Sequence, residues 1–146
     1  MLALETDRLI LREFKFEDWH DVHQYAADPE VVRHLEWGPN SKEETIKFVE
    51  GALACQKERP RLVYEFAVLK RAGLDAEAAV PQDQLIGACG LRLLDYKAEQ
   101  GEIGYCYSRR FWRGGFATEA SKALLRFGFE SLQLHRMYAT CDSTNI

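Results

Sequence analysis

The spacing of apolar positions changes several times along this chain, and each change marks an element. Residues 8–12 (RLILR) form a short apolar run bounded by arginines, which predicts a first strand. Over residues 16–27 the spacing widens. Phe16, Trp19, Val22, His23 and Ala26 fall close to a helical period, and Asp28-Pro29 stops that helix and opens another short one. Ser41 with Glu44 three positions later is a capping box ahead of Ile46, Phe48, Val49 and Leu53, so a long helix starts there. Residues 61–70, 85–93 and 101–108 are strand-like. The polar, alanine-rich stretch 71–84 exceeds a tight hairpin and is expected to be an exposed loop.

After Gly114-Gly115 comes the clearest helix. Phe116, Ala120, Ala123, Leu124 and Phe127 make one continuous apolar face, and no proline interrupts it. Residues 136–141 (RMYATC) predict a last short strand. Strand, helices, three strands, helix and strand give a mixed α+β sheet, with the last helix crossing over between neighbouring parallel strands. No repeat or boundary divides the chain, so residues 1–146 are expected to form one domain.

Composition narrows the class. Of 146 residues, 47% are hydrophobic and 29% charged, which favours a folded, soluble chain over a disordered one. The net charge of −4 and the lack of a basic block oppose nucleic-acid binding. No apolar run is long enough to span a bilayer, and the start lacks the apolar centre of a signal peptide. Cys55, Cys89, Cys106 and Cys141 are scattered, without metal-ligand spacing, and are expected to be reduced, mostly buried thiols of a cytoplasmic protein. His20 and His23 lie on one helix beside Trp19; without a third ligand, packing outweighs metal binding.

The glycine pair carries the candidate chemistry. The first amides of a helix have no internal partner, and the helix dipole adds positive charge there. Glycine lets a ligand approach the backbone closely and accepts positive φ. With Arg109, Arg110 and Arg113 alongside, the segment can cradle a phosphate; it can equally be an ordinary turn. Neither G-x-x-x-x-G-K-[ST] nor G-x-G-x-x-G is present, which excludes the common nucleotide-triphosphatase and dinucleotide loops.

Residues 112–120, W-R-G-G-F-A-T-E-A, resemble the acetyl-CoA-binding motif of the GNAT acetyltransferase superfamily, in the variant of its RimJ/RimL-like ribosomal-protein branch. Gly115 and Ala117 match the last two fixed positions of Q/R-x-x-G-x-G/A, and Trp112 replaces the first. LETDRLILREFKFEDW, GEIGYCY and FGFESLQLHRMYATCDSTN resemble other segments of the branch in the right order.

The resemblance implies an acyl-CoA N-acyltransferase fold whose strands at 102–107 and 137–141 run parallel and then splay. It implies pantetheine on the exposed edge at Tyr105, Cys106 and Tyr107, and the pyrophosphate on the amides of Arg113, Gly114, Gly115, Phe116, Ala117 and Thr118. Arg110 and Asn145 complete the cofactor contacts. A main-chain N–H near Tyr105 to Tyr107 would act as an oxyanion hole, and Trp37 would line the acceptor pocket or simply pack.

The implied reaction is direct acetyl transfer from acetyl-CoA to an amine, with no metal. The amine is a protein N-terminus or a small molecule such as an aminoglycoside or polyamine, and a non-catalytic acyl-CoA-binding module is the alternative. Glu102 is the candidate base, or else a solvated strand carboxylate. Tyr105 and Tyr107 read as core or wall, Cys106 as a buried inert thiol, and Glu119 as a cap on its own helix. The molecule is expected to be a monomer or homodimer. Measured against the family pattern the chain is expected to lack the closing C-terminal strands, which would leave Leu134 and Met137 exposed.

Overall fold

A computed structural model describes residues 2–73, 82–94, 97, 99–141 and 143–144. Residues 74–81 of the expected loop, and Asn145, lie outside them.

Six strands form one sheet in sequence order: β1 (Ala3–Glu5), β2 (Leu9–Glu13), β3 (Val63–Lys70), β4 (Gln84–Leu93), β5 (Gln100–Tyr107) and β6 (Arg136–Tyr138). All neighbours are antiparallel except β5 and β6, which are parallel. The crossover this requires is made by α3 (Phe116–Arg126), as expected from the order of elements. Helices α1 (Trp19–Ala26) and α2 (Lys42–Lys57) connect β2 to β3.

Strand alternation splits the core in two. On one face Leu9, Leu11, Phe66, Val68, Ile86 and Leu91 meet Phe116, Ala120 and Leu124 of α3. On the other, Phe14, Ala67, Leu69 and Ala88 meet Val22, Tyr25 and Ala26 of α1 and Val49 and Ala52 of α2. Burial of this kind supplies roughly 25 cal/mol per Å² of apolar surface and holds the helices on the sheet.

Several expectations change. A short hairpin strand, β1, precedes the expected first strand; it pairs Ala3 with Arg12 and Glu5 with Ile10. Asp28-Pro29 opens turns rather than a helix, with the amides of Val31 and Val32 both bonded to the Asp28 carbonyl. Phe16–Asp18 is a separate 3₁₀ turn ahead of α1. A π-helical turn, Phe127–Ser131, follows α3. The Ser41–Glu44 capping box forms as expected. Leu134 and Met137 are not exposed: Leu134 is buried, and Met137 packs on the α3-side core where Gly128 leaves room for its sulfur. The thiols are less buried than expected, since only Cys89 is buried, Cys55 and Cys106 are half-buried and Cys141 is exposed.

A bulge breaks the β3–β4 register between Val68 and Leu69. Beside it, a Cβ on Gly87 would collide with the Cys106 carbonyl and the Tyr107 ring. Main chain cannot yield as a flexible side chain can, so Gly87→Ala is expected to cost about 3 kcal/mol, checked by urea unfolding. Among the described residues no helix is long and apolar enough to cross a membrane.

Candidate active site

Gly115 caps α3 in the left-handed region, with φ 81° and ψ 5°, and Arg113 is also left-handed at φ 65°. The first bond inside the helix runs from the Glu119 amide to the Gly115 carbonyl at 3.0 Å. The amides of Phe116, Ala117 and Thr118 therefore precede any intrahelical partner, and no side chain caps them from Gly115. Arg113, Gly114, Gly115 and Thr118 are exposed, Ala117 is half-buried, and the Phe116 side chain points into the core. The result is a run of N–H groups on a largely exposed loop with no side-chain cap.

Glu119 does not cap its own helix. Its carboxylate reaches the β1–β2 turn, where it accepts hydrogen bonds from the Thr6 hydroxyl, the Arg8 amide (3.0 Å) and Arg8 Nε (2.7 Å). Burial pushes this carboxyl up, but those bonds outweigh it and hold the group below its ordinary range. Arg8 Nη1 in turn donates to the Gly114 carbonyl at 2.9 Å, and its guanidinium lies 4.3 Å from the Phe116 ring centroid. Arg8 thus fixes the loop through the Gly114 carbonyl, and the amides of Gly114 and Gly115 make no main-chain hydrogen bond among the described residues. Nothing local in the LETDRL segment signals this role for Thr6 and Arg8, because their partner lies on α3.

Around the corner lies the edge of β5. Bonds from Ser108 N to Ile86 O and from Leu94 N to Gln100 O set even positions of β5 against β4. Odd positions turn their main-chain groups toward β6. Registered pairing with β6 ends at Glu102–Tyr138 while β5 runs on to Tyr107. The amide and carbonyl of Tyr105 therefore lie on the β6 side beyond the registered pairing, and the Trp112 indole donates to the Tyr107 carbonyl at 2.9 Å. The pairing ends where the splay is expected.

The opposite side of the same strand end floors a cleft of about 340 Å³ under the segment before α2. Trp37, Phe48, Glu65, Arg92, Glu102, Tyr105 and Cys106 all reach it. The structure thus brings together Trp37, Glu102, Tyr105 and Cys106 of the expected residues. Glu102 stands opposite Arg92 and accepts a hydrogen bond from the Thr140 hydroxyl at 3.3 Å. Tyr105 is about half exposed and Tyr107 is buried. Burial pushes the Cys106 thiol up to about 12, which leaves it a poor nucleophile at neutral pH. The Tyr25 hydroxyl is buried without a hydrogen-bond partner among the described residues.

Glu65 was not among the expected site residues. Burial raises its carboxyl to about 7, with Arg92 opposing the shift. The folded state then holds a proton that the unfolded state has released, so stability falls as pH rises from about 4.5 through about 7. At about 1.4 kcal/mol per unit, Glu65→Gln is expected to stabilise the protein by up to about 3 kcal/mol above pH 7 and to have no effect below pH 4.5. Thermal unfolding at the two pH values checks this.

Other expected residues lie apart. Arg110 is exposed over the Phe111 ring and lines a second cavity with Asp21, Asp28 and Ser108. Arg109 is no free cation beside the loop, since it is paired with Asp28 at 2.7 Å. His20 stacks on Trp19, and His23 shares a hydrogen bond with Thr45.

Residues 8–146 match the Acetyltransferase (GNAT) domain family. The chain belongs to the GNAT acetyltransferase family. Among relatives of this GNAT enzyme, YnaD, an uncharacterized N-acetyltransferase of Bacillus subtilis strain 168, is 32% identical over 99% of this chain and 76% of its own length. A GNAT-family acetyltransferase from Bacillus anthracis superimposes with a TM-score of 0.77 at 28% identity, covering 99% of this chain and 76% of the other. RimL, a ribosomal L7/L12 α-N-protein acetyltransferase solved with coenzyme A, has a TM-score of 0.80 at 17% identity, covering 99% and 77%; that likeness is one of fold. The mixed sheet and the acetyltransferase class expected from W-R-G-G-F-A-T-E-A are thereby established.

Proposed function

We propose that this acetyltransferase moves an acetyl group from acetyl-CoA to a primary amine, such as a protein N-terminus, with both substrates bound at once. One observation carries the reading: the cleft lined by Glu102, Tyr105 and Cys106, the open edge at Tyr105 and the uncapped amides opening α3 follow one another along β5 and the loop after it. These features suit an elongated ligand with an anionic middle. The left-handed Gly115 keeps side-chain atoms out of the cradle, and the Tyr105 main chain offers a donor and an acceptor to an amide-bearing arm. The coenzyme A bound by RimL supports the same choice.

Acetyl-CoA supplies the activated acyl group as a thioester. Arg113 to Thr118 would hold its pyrophosphate by main-chain N–H groups and the dipole of α3. An N–H at Tyr105 or Tyr107 would stabilise negative charge on the acetyl oxygen, a contribution of about 3 kcal/mol for one well-placed donor. Trp37 walls the acceptor side. Glu102 reaches the same cleft and either takes the amine's proton or draws the cation in. Holding amine and acyl carbon together supplies much of the acceleration.

The test pairs calorimetry with thiol release. Acetyl-CoA is expected to bind with one-to-one stoichiometry. Free thiol should appear in saturable fashion with a serine-terminated peptide, spermidine or kanamycin. Binding without turnover on any of them would favour an acyl-CoA-binding module; no binding at all would remove the reading.

A further inference from the structure

We propose that Glu65 is the group that takes the proton from the amine acceptor. The assignment rests on the acetyl-transfer reading above and adds a catalytic residue to it.

Register places Glu65 for this. Its cross-strand neighbour on β4 is Gly90, and the next on β5 is Gly104. A Cβ on Gly90 would lie 2.5 Å from a Glu65 carboxylate oxygen, so the side chain lies across β4 in space that only glycine leaves. A Cβ on Gly104 would meet nothing within 4 Å. Two glycines in line thus clear a path along the cleft floor, from the Glu65 carboxylate to the strand edge at Tyr105. An acyl carbonyl on that edge and an amine in the cleft would meet at the end of it.

The bonding is equally specific. The other shielded carboxylates are tied to arginines: Glu13 to Arg61, Asp18 to Arg12 and Glu119 to Arg8. Glu65 makes no hydrogen bond or ion pair among the described residues, although buried carboxylates are ordinarily partnered. Glu102 is engaged by Thr140. The charged and titratable groups facing Glu65 are Arg92 and Cys89 from β4, Tyr25 from α1, Cys55 from α2, and Glu102, Tyr105 and Cys106 of β5 in the cleft. Of these only Arg92 favours its ionised form.

The step balances simply. An ammonium N–H breaks, its proton passes to a Glu65 oxygen, and the electron pair stays on nitrogen. The nitrogen attacks the acetyl carbon, the C–N bond forms, and the C–S bond breaks with its pair on sulfur. The second amine proton ends on that sulfur, and Glu65 returns its own to solvent. A base that titrates near neutrality suits the task, because it is ionised at working pH yet accepts a proton readily.

The experiment compares Glu65→Gln, Glu65→Asp and Glu102→Gln with wild type, using acetyl-CoA and whichever of the three amines above is turned over fastest. Glu65→Gln is expected to lower kcat about 100-fold or more with acetyl-CoA affinity unchanged by calorimetry. The rise of kcat/KM near pH 7 should vanish in that variant and persist, at lower kcat, in Glu65→Asp. Wild-type kcat and pH profile in Glu65→Gln would overturn the assignment and leave acetyl transfer standing. Loss of the pH 7 rise in Glu102→Gln alone would move the role to Glu102 and overturn it likewise. Impaired folding or acetyl-CoA binding in Glu65→Gln would show a structural carboxylate instead. A wild type that binds acetyl-CoA but turns over none of the amines removes both.

Discussion

Replacing Gly115 by glutamate is expected to abolish acetyl-CoA binding while the protein stays folded. At φ 81° a side chain is strained by roughly 1–2 kcal/mol, a cost a folded domain can bear. The greater effect is local. A Cβ here would lie 3.3 Å from Arg8 Nη2, so the new carboxylate would settle beside that guanidinium. It would then occupy the mouth of the N–H row with charge of the same sign as a pyrophosphate. A loss of at least 100-fold in affinity, about 3 kcal/mol, follows. Gly115→Ala carries the strain without the charge and should fall between the two. Calorimetry reads all three proteins, and an affinity for Gly115→Glu equal to wild type would dismiss the anion cradle.

The second large effect is on stability. Phe66 is fully buried at the centre of β3, and its ring meets Phe127 edge-on with centroids 5.8 Å apart. Phe127 follows α3 directly, so this contact joins the crossover helix to the sheet. Phe66→Ala removes the ring from a site with stiff strands on both sides, where collapse is poor. A loss of about 4 kcal/mol is expected, with Tm lower by roughly 10 °C or more. Urea unfolding would show it as a lower midpoint. A loss below about 1 kcal/mol would mean that the α3-side core is looser than its burial implies.

Local signals were legible and distant ones were not. The face of α3, the Ser41 cap and the main strands emerged within a residue or two, because periodicity and capping act between near neighbours. The loop opening α3 was legible because Gly114-Gly115 sits directly before a strong helix. The β1 strand escaped because three residues, none of them buried, carry too little pattern. Asp28-Pro29 was read as a helix start, yet its carbonyl is consumed by two turn amides. Glu119 was misassigned because its partners, Thr6 and Arg8, lie over a hundred residues away. Glu65 was invisible for a related reason. Its setting depends on Gly90 and Gly104, and only the register of three strands aligns them.

The Thr6–Arg8–Glu119 tether has a consequence for biosynthesis. The hairpin of β1 and β2 leaves the ribosome before the carboxylate it grips, which lies 111 residues downstream of Arg8. The loop before α3 therefore gains its final shape only after the chain has been made as far as Glu119. Truncation within the first strand pair would accordingly disturb a loop that lies far from it in sequence.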